Sequence, residues 1–436
     1  VSVDGGTIKL DGNYPVGTGN VALGDTALDS LTSGVENTAV GSVAMTTNTS
    51  GSYNTVLGVG TLYTNTTGSN NIALGTGAGY YNTTGSNNTS VGRQALLNNT
   101  TASNNTAVGY QAGYSNTTGR NTFVGSSTGY ANTTGTANVA IGGDTAPTYS
   151  TLRFNTTGSQ NTAIGISALA FNTTASNNTA VGYQSLYSNV TGTSLVAVGW
   201  RSLEANTTTG NTAVGMNSAR ATTTGADNSA LGHDALRYNT TGRFNTVVGK
   251  QALFNNTTAS NNTAVGYRAL YTSTNGPNTA VGSLALNSNS SGYDNTAVGR
   301  DALTANTTGI RNSAFGDKTL DANTTGDSNT AYGAYSLGAN TTANDNTAVG
   351  YKAGYSNTTG QNNVFVGENA GYSNTVSSNQ SFFGEYAGQS TTGSNNTFIG
   401  GGSGYQITTG SKNTILGKYN GNQGGLDIRT SSNNIV

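Results

Sequence analysis

A five-residue phrase, Asn-Thr-Ala-Val-Gly or a close variant, recurs along almost the whole chain and ends each time in an anchor glycine. There are 24 anchor glycines, from Gly24 to Gly417. Of the 23 intervals between them, 18 are 17 residues long, four are 16 and one is 23. A fixed period is typical of repeat architectures, in which each repeat stacks on its neighbours. This period constrains the fold more than any other feature of the sequence.

Two adjacent positions before each anchor glycine are apolar. The residue directly before the glycine is apolar in all 24 copies, and the preceding one is Ala in 16 copies and Val, Ile, Phe or Ser in the others. Because neighbouring residues of a strand point to opposite faces, the phrase predicts a strand with both faces buried. One face would fill the inside of a coil. The other would be covered most simply by another copy of the chain.

The remaining positions of the repeat predict the rest of the coil. A small residue three positions after the glycine, usually followed by Leu or Gly, predicts a second short strand. Charged residues just after the glycine predict a solvent-exposed corner. Asn stands four positions before the glycine in 22 copies, where it suits a turn and also a ladder of side-chain amides. The phrase NTTG predicts another turn with its Gly at positive φ. Changes in repeat length are expected between the second strand and the next Asn.

These patterns predict an all-β fold: a repeat β-solenoid, or parallel β-roll, of about 24 coils of 17 residues, without helices. Coils stacked at the ~4.8 Å strand spacing would form a rod roughly 115 Å long. Residues 21–417 form the repeat, residues 1–20 predict an N-terminal β cap or connector, and residues 418–436 leave the repeat. The doubly apolar strands predict a homo-oligomer.

Composition excludes several classes of protein. Charged residues make up 8% of the chain and the net charge is −1, so the positive charge that binds nucleic acid or an anionic membrane is missing. Without cysteine there are no disulfides or thiolate metal sites. No apolar run is long enough to predict a transmembrane helix. The chain begins at Val1 with neither Met nor a signal-peptide pattern, which predicts a fragment or a processed product.

The phrase Asn-Thr/Ser-x-Val/Ile-Gly resembles the head repeats of trimeric autotransporter adhesins of the YadA type. Its longer form, as in residues 105–125, is similar to repeats in bacteriophage tail fibres and related surface proteins. The resemblance covers roughly residues 20–417 and implies a homotrimeric parallel β-roll. The ending GGLDIRTSSNNIV, residues 424–436, resembles the segment that precedes the self-cleaving intramolecular chaperone domain of many phage fibres and endosialidases, a domain that this sequence lacks.

The resemblance also implies a function and a location. We expect a structural fibre of a phage tail or cell-surface appendage, an elongated trimer for host or surface attachment, extracellular and not an enzyme. The expected partners are the chain's own copies and a cell-surface glycan or receptor, with neither nucleic acid binding nor membrane insertion. No cofactor and no metal are expected.

Two alternative functions rest on particular residues. Threonines of the NTT turns recur in every coil and could order water, which would give an ice-binding protein, although they lie where repeat length varies. Glu368 and Glu385 follow anchor glycines of successive coils, so they should stack about 5 Å apart. That separation suits a retaining glycosidase and hence a polysaccharide-degrading tailspike, whereas Lys352 one coil earlier favours a solvated, partly neutralised surface.

Aromatic residues and one loop supply the candidate binding residues. Tyr follows the anchor glycine by one position in four copies, and by five in a column that could either bind sugar rings or pack between coils and along a subunit seam. The 23-residue interval holds an insertion near residues 146–154, where Thr148, Tyr149 and Arg153 could form a binding loop or a tolerated decoration. His233, the only histidine, is expected to have no functional role. The tyrosines of the five-position column are Tyr63, Tyr80, Tyr114, Tyr130, Tyr187, Tyr271, Tyr355, Tyr372 and Tyr405.

Overall fold

A computed structural model describes residues 17–143 and 149–436. The chain divides into a first unit, residues 1–217, and a second unit, residues 218–436. The described residues contain 24 strands of three or four residues and a short hairpin, and no α-helix. No helix in this part of the chain is long and apolar enough to cross a membrane. Most of the predicted N-terminal cap lies outside the described residues.

Twelve strands of the first unit follow one another at the predicted period. Each consists of the three residues before an anchor glycine. They are β1 (Val21–Leu23), β2 (Thr38–Val40), β3 (Thr55–Leu57), β4 (Ile72–Leu74), β5 (Thr89–Val91), β6 (Thr106–Val108), β7 (Thr122–Val124), β8 (Val139–Ile141), β9 (Thr162–Ile164), β10 (Thr179–Val181), β11 (Val196–Val198) and β12 (Thr212–Val214).

The second unit continues the same pattern and ends in a hairpin. Its strands are β13 (Ser229–Leu231), β14 (Thr246–Val248), β15 (Thr263–Val265), β16 (Asn278–Val281), β17 (Asn295–Val298), β18 (Ser313–Phe315), β19 (Thr330–Tyr332), β20 (Thr347–Val349), β21 (Val364–Val366), β22 (Ser381–Phe383), β23 (Thr397–Ile399), β24 (Thr414–Leu416), β25 (Asn422–Gln423) and β26 (Leu426–Asp427).

Within each unit, successive strands pair in parallel, and equal positions of the repeat lie opposite one another. In the first unit, β5 and β6 pair Thr89 with Thr106 and Val91 with Val108. In the second unit, β16 and β17 pair over four residues in the same register. The predicted parallel β-solenoid is therefore confirmed in both units.

The middle residue of each strand points into the coil, and its two neighbours point outward. Ala107 and Ala264 are fully buried, whereas Leu57 and Val248, directly before their anchor glycines, keep 54% and 38% of their surface exposed. One of the two predicted apolar columns thus forms the core of each unit. The other lies on the outside of the sheet.

The segment after the anchor glycine is not the predicted second strand but a pair of turns. The Ala95 N–H donates to the Gly92 carbonyl (3.2 Å), which closes the first turn. Positive φ at Gln94 (59°) and Leu96 (50°) excludes extended backbone there. This side of the coil still bonds to its neighbours, because the Leu96 N–H donates to the Ala112 carbonyl (3.0 Å). Each coil therefore contains one strand, not two.

The anchor glycine is required by both conformation and space. Gly109 has a φ of 136°, and a Cβ there would lie 2.6 Å from the carbonyl carbon and oxygen of Gly125 in the next coil. An L side chain would be strained by the first condition and excluded by the second. At Gly417, the last anchor, only the conformation applies, because its φ is 111° and no atom lies within 4 Å of a Cβ there.

The predicted amide ladder is confirmed, four positions before the anchor glycine. Asn312 Oδ1 accepts from the Asn329 N–H (3.0 Å), and Asn329 Oδ1 accepts from the Asn346 N–H (3.1 Å). Asn329 Nδ2 donates to the Ala343 carbonyl of the next coil (2.8 Å). The turn predicted at this Asn places the left-handed conformation on the residue before it, such as Ser328 (φ 59°).

A second buried amide column, which the sequence did not predict, is formed by the first Asn of NTTG. Asn323 Nδ2 donates to Asn306 Oδ1 (2.9 Å) and to the carbonyl of Gly326 in its own turn (3.0 Å). The predicted positive φ at the NTTG glycine is wrong, because Gly326 lies outside the left-handed region. Because this position does not require glycine, the next coil carries Ala343 in place of Gly326.

Four coils place Phe instead of a smaller residue in the buried strand position, and glycines make room for the ring. A Cβ at Gly129 would lie 2.3 Å from the Phe123 ring, and a Cβ at Gly113 would lie 2.7 Å from it. Most coils carry Leu at this position, four residues after the anchor, even though its φ is positive, as at Leu96. The ring, and not the backbone, therefore demands these glycines. The four residues are Phe123, Phe365, Phe382 and Phe398.

The 23-residue interval has its six extra residues between Gly142 and Thr151, close to the predicted insertion near residues 146–154 and not between the second strand and the next Asn. Thr151 Oγ1 donates to the Gly165 carbonyl (2.7 Å), as Thr128 Oγ1 does to the Gly142 carbonyl one coil earlier (2.7 Å). Leu152 is fully buried in the core. The regular coil has therefore resumed by Thr151. The 16-residue repeats lose their residue between the two Asn columns, as predicted.

Residues after Gly417 form a hairpin and then part of a further coil. Strands β25 and β26 pair in antiparallel fashion. Beyond them, the Asn434 N–H donates to Asn413 Oδ1 (3.0 Å), and Thr414 pairs in parallel with Ile435. The ending SSNNIV, within the segment expected to leave the repeat, thus adds one step to the amide ladder.

We expect Gly129→Ala to destabilise the chain more than Gly77→Ala. Both glycines have positive φ (60° and 69°), so the conformational cost of roughly 1 kcal/mol is shared. Only at Gly129 does the new methyl meet a fixed ring, which should add about 1–3 kcal/mol of overpacking. A Cβ at Gly77 has its nearest neighbour at 3.6 Å. Urea unfolding followed by circular dichroism measures both, and equal midpoints for the two variants would contradict the steric explanation.

We expect Asn329→Ala to lower the free energy of unfolding by about 1–3 kcal/mol for each buried group left unpaired. The substitution removes the acceptor of the Asn346 N–H and the donor to the Ala343 carbonyl. Thr325→Ala, in the exposed turn of the same coil, is the matched control and should stay close to wild type. If the two variants unfold at the same urea concentration, the ladder does not stabilise the coils.

Candidate functional site

The outer sheet face consists of the residues one and three positions before the anchor glycine in each coil. The position directly before the glycine is half-buried or exposed throughout the described strands, with Leu57 and Ile141 exposed in the first unit and Leu231 and Tyr332 in the second. In all 24 coils neither position carries a charged residue. Each unit therefore presents a regular, uncharged and largely apolar surface.

Threonine hydroxyls flank the apolar column of the outer sheet face. The position three residues before the glycine is Thr in 16 coils, Ser in three, and Val or Ile in five. None of these Thr hydroxyls forms a hydrogen bond with any described residue. In contrast, turn threonines bond to the next coil, as Thr156 Oγ1 does to the Thr173 carbonyl (3.1 Å). The first Thr of most NTT turns is thus used internally, the second stays exposed, and a further array of free hydroxyls lies on the sheet.

Most candidate glycan-contact tyrosines stack on aromatic neighbours in adjacent coils. Ring centroids are 5.0 Å apart for Tyr63 and Tyr80 and 4.8 Å apart for Tyr114 and Tyr130, with planes within 20°. Tyr355 and Tyr372 stack in the same way at 5.4 Å. Ring faces that would hold a sugar are therefore turned toward neighbouring rings, as the packing alternative expected.

The three other tyrosines of this column also contact aromatic rings. Tyr187 meets Phe171 edge-on at 5.0 Å, and Tyr271 stacks on Phe254 at 5.1 Å. Burial is the largest cause that raises the pKa of the Tyr187 phenol. Tyr405 is the most exposed of the nine, at 42%. The column mainly ties coils together.

A more exposed group of aromatic residues directly follows the anchor glycines. Tyr110, Tyr183, Tyr267 and Tyr351 are all exposed, and so is Trp200, the only tryptophan. Sequence reasoning noted these tyrosines but missed Trp200. Its position directly after Gly199 was the available signal.

Arginines are fixed beside these exposed rings by glutamines of the preceding coil. Arg201 Nε donates to Gln184 Oε1 (2.9 Å), and the guanidinium lies 4.7 Å from the Trp200 ring centroid. In the second unit, Arg268 Nε donates to Gln251 in the same way (2.9 Å). The same local geometry is therefore built twice from the same repeat positions.

The candidate loop residues divide between the insertion and the repeat. Thr148 lies outside the described residues, and Tyr149 is exposed. Arg153 belongs to the resumed coil, where its guanidinium lies 4.6 Å from the Tyr130 ring and 5.7 Å from the Phe154 ring. Arg153 therefore packs along the aromatic column and not in the loop.

Glu368 and Glu385, the candidate hydrolytic pair, are both exposed to solvent. The Glu368 carboxylate accepts a hydrogen bond from Asn369 Nδ2 (3.3 Å). Lys352 lies 5.2 Å from the Tyr351 ring, and a hydrogen bond to that side chain is the main cause that raises the Lys352 pKa. Nothing in these surroundings favours hydrolysis over an ordinary solvated corner.

His233 and a groove near the C-terminal hairpin each place a basic side chain beside an acidic one. His233 Nδ1 lies 3.1 Å from an Asp234 carboxylate oxygen. A shallow groove of about 510 Å³ near the hairpin contains Asp427 and Arg429, whose ion pair (2.7 Å) holds the pKa of Asp427 at about 2. Among the described residues, no group of three or more His, Cys, Asp or Glu side chains could hold a metal ion.

No protein-family model matches the chain, and no curated protein is significantly similar to it. Function must therefore be argued from two features of the coils. The first is the uncharged outer sheet face. The second is the corner after the anchor glycine, with its exposed aromatic and charged side chains.

Proposed function

We propose that the chain is a structural fibre of a phage tail or cell-surface appendage, in which three copies associate through their outer sheet faces. The observation that carries this proposal is the apolar column directly before the anchor glycine, which points outward in both units. Soluble monomers rarely expose contiguous apolar surface on this scale. Association with identical copies would remove it from water.

The chemistry of the outer sheet face supports contact between copies. Because neither of its positions carries a charge, burying the face would leave no charge without its water. The free Thr hydroxyls could form hydrogen bonds across the contact or to trapped water. A face that repeats the same kinds of residue in every coil would also let copies related by a closed rotation meet in one common register along their length.

The attachment role rests on the resemblance to phage-fibre and adhesin repeats. Such a fibre would lie outside the cell, on a virion tail or a cell surface, and would hold a receptor-binding part away from the particle. The chain itself would contribute strength and spacing, without a catalytic step or a cofactor.

Light scattering of the purified chain should give three times its mass of 43.9 kDa. Val248→Lys, on the outer sheet face, should shift the mass toward one chain, because the substitution would bury like charges in the contact. Thr241→Lys adds the same charge to the exposed turn of the same coil and should leave the mass unchanged. Circular dichroism should be the same for all three proteins. A single-chain mass for the wild type would rule the proposal out.

Ice binding is a second candidate, favoured by the free Thr array of the outer sheet face in the first unit. Thr stands in eight of its twelve coils and Val or Ile in the other four, so hydroxyl and methyl groups repeat there at the strand spacing of ~4.8 Å with interruptions, which could order water. In the first unit the position before the glycine is always Val, Leu or Ile, whereas Phe315, Tyr332 and Phe383 interrupt it in the second. The two candidates compete for one face, since a face buried between copies cannot bind ice.

Ice binding predicts a single-chain mass together with thermal hysteresis. Thr179→Tyr, on the outer sheet face of the first unit, should abolish the hysteresis by breaking the array. Thr174→Tyr, in the exposed turn of the same coil, should retain it. Absence of hysteresis in the wild-type protein would eliminate this candidate.

A further inference from the structure

We infer that the corner formed by Tyr183, Gln184, Trp200 and Arg201 in the first unit is a carbohydrate-binding site. This inference rests on the proposed attachment function and names its ligand class, a hexopyranose unit of a surface polysaccharide. The four residues follow anchor glycines of successive coils and do not belong to the outer sheet face. The site would therefore stay open in a trimer that associates through that face.

Two exposed aromatic rings provide the apolar surface of the site. Tyr183 and Trp200 stack with planes that differ by 14°, but their centroids are 6.3 Å apart, wider than the 4.8–5.4 Å of the packed tyrosine pairs, and the two residues stay 40% and 41% exposed. A pyranose ring presents C–H groups on its faces and hydroxyls around its edge. It therefore needs an aromatic surface together with nearby polar groups, the combination that ligand sites generally use.

Arg201 supplies the polar groups in a fixed position. Its Nε is held by Gln184 Oε1 at 2.9 Å and lies 3.6 Å from Glu204 Oε1. Within the described chain its two terminal Nη nitrogens form no hydrogen bond. The guanidinium lies 4.7 Å from the Trp200 ring centroid, so these donors stand beside the exposed indole. A side chain already held in place loses less entropy when it binds a ligand.

The second unit contains a reduced version of the same corner, which shows what the full site adds. Arg268 Nε is held by Gln251 at 2.9 Å, and the guanidinium lies 5.4 Å from the exposed Tyr267 ring. Lys250 stands at the position equivalent to Tyr183, so the second ring is missing. We therefore assign the site to the first unit alone.

The charge at the corner favours a sugar over a nucleic acid. Single-stranded nucleic acids bind where aromatic rings combine with a positively charged groove. Here the single arginine lies near Glu204, and the whole chain has a net charge of −1. Stacking and hydrogen bonding to a neutral ring need no excess of positive charge.

Trp200 makes the site directly observable, because it is the only tryptophan of the chain. The full chain is titrated with maltohexaose, cellohexaose and laminarihexaose up to about 20 mM, a range that detects weak, millimolar binding. We expect at least one of the three to give a saturable change in Trp200 emission. The heat of binding should give the same midpoint in calorimetry.

Variants that retain Trp200 show whether the sugar binds at this corner or elsewhere on the surface. Tyr183→Ala and Arg201→Ala should each raise the dissociation constant about tenfold or more, which corresponds to about 1.4 kcal/mol. Tyr267→Ala, in the reduced corner of the second unit, should bind as the wild type does. Unchanged circular dichroism shows that the variants are folded.

The inference is overturned if none of the three sugars gives a saturable signal, or if Tyr183→Ala binds as tightly as the wild type. Its failure can be told apart from failure of the proposed fibre. A trimer that binds no sugar would overturn the site alone. A single-chain protein that binds sugar through Trp200 would overturn the fibre alone.

Discussion

The hydrogen bonds of the buried asparagine amides are the constraint on which the stacking of coils depends. Each coil has backbone N–H and carbonyl groups beside the strand that are removed from water, and an unpaired buried group costs about 1–3 kcal/mol. Of the two coils without Asn at this position, one carries Leu195, which accepts no such bond but still donates its N–H to Asn178 Oδ1 (3.1 Å), and the other carries Gln380. Its N–H donates to Asn363 Oδ1 (3.0 Å), and its own Oε1 accepts from the Asn396 N–H (2.9 Å), so a longer amide keeps the ladder intact. Because each amide bonds to the equivalent position of the next coil, the ladder also fixes the register.

Because the register is fixed, the coils can hold backbone conformations that are unfavourable for the residues that adopt them. Non-glycine residues such as Gln94 and Leu96 adopt positive φ in coil after coil, at a cost of roughly 1–2 kcal/mol each. A single coil has too little buried surface to sustain that strain, whereas stacked coils share their backbone hydrogen bonds and core contacts. The turns after the anchor glycine are therefore a property of the stack and not of the local sequence.

Features that follow from the alternation of strand residues and from strict repetition could be predicted from the sequence. Features that depend on contacts between stacked coils could not. The buried Ala column, the outward Val column and the amide ladder follow from period and strand geometry. The prediction of a second strand was wrong. A Leu that follows a small residue normally avoids the left-handed region, and only the contacts with neighbouring coils hold Leu96 there. The second amide column was missed because the Asn of NTTG resembles an ordinary turn residue. The Trp200 corner was missed because its polar partner, Gln184, comes from another coil.

The outer sheet face is nearly uniform from coil to coil, whereas the corner after the anchor glycine varies, and this difference suits the two surfaces to different partners. The outer sheet face repeats the same kinds of residue in every coil, so only a partner with its own regular spacing can match it over many coils. Another copy of the chain has that spacing, and so does an ordered layer of water, which is why these two compete for the face. The corner after the anchor glycine changes from Tyr183 to Trp200 to Met216 in successive coils. A periodic partner cannot follow such changes, so recognition at the corner must be local, one site at a time.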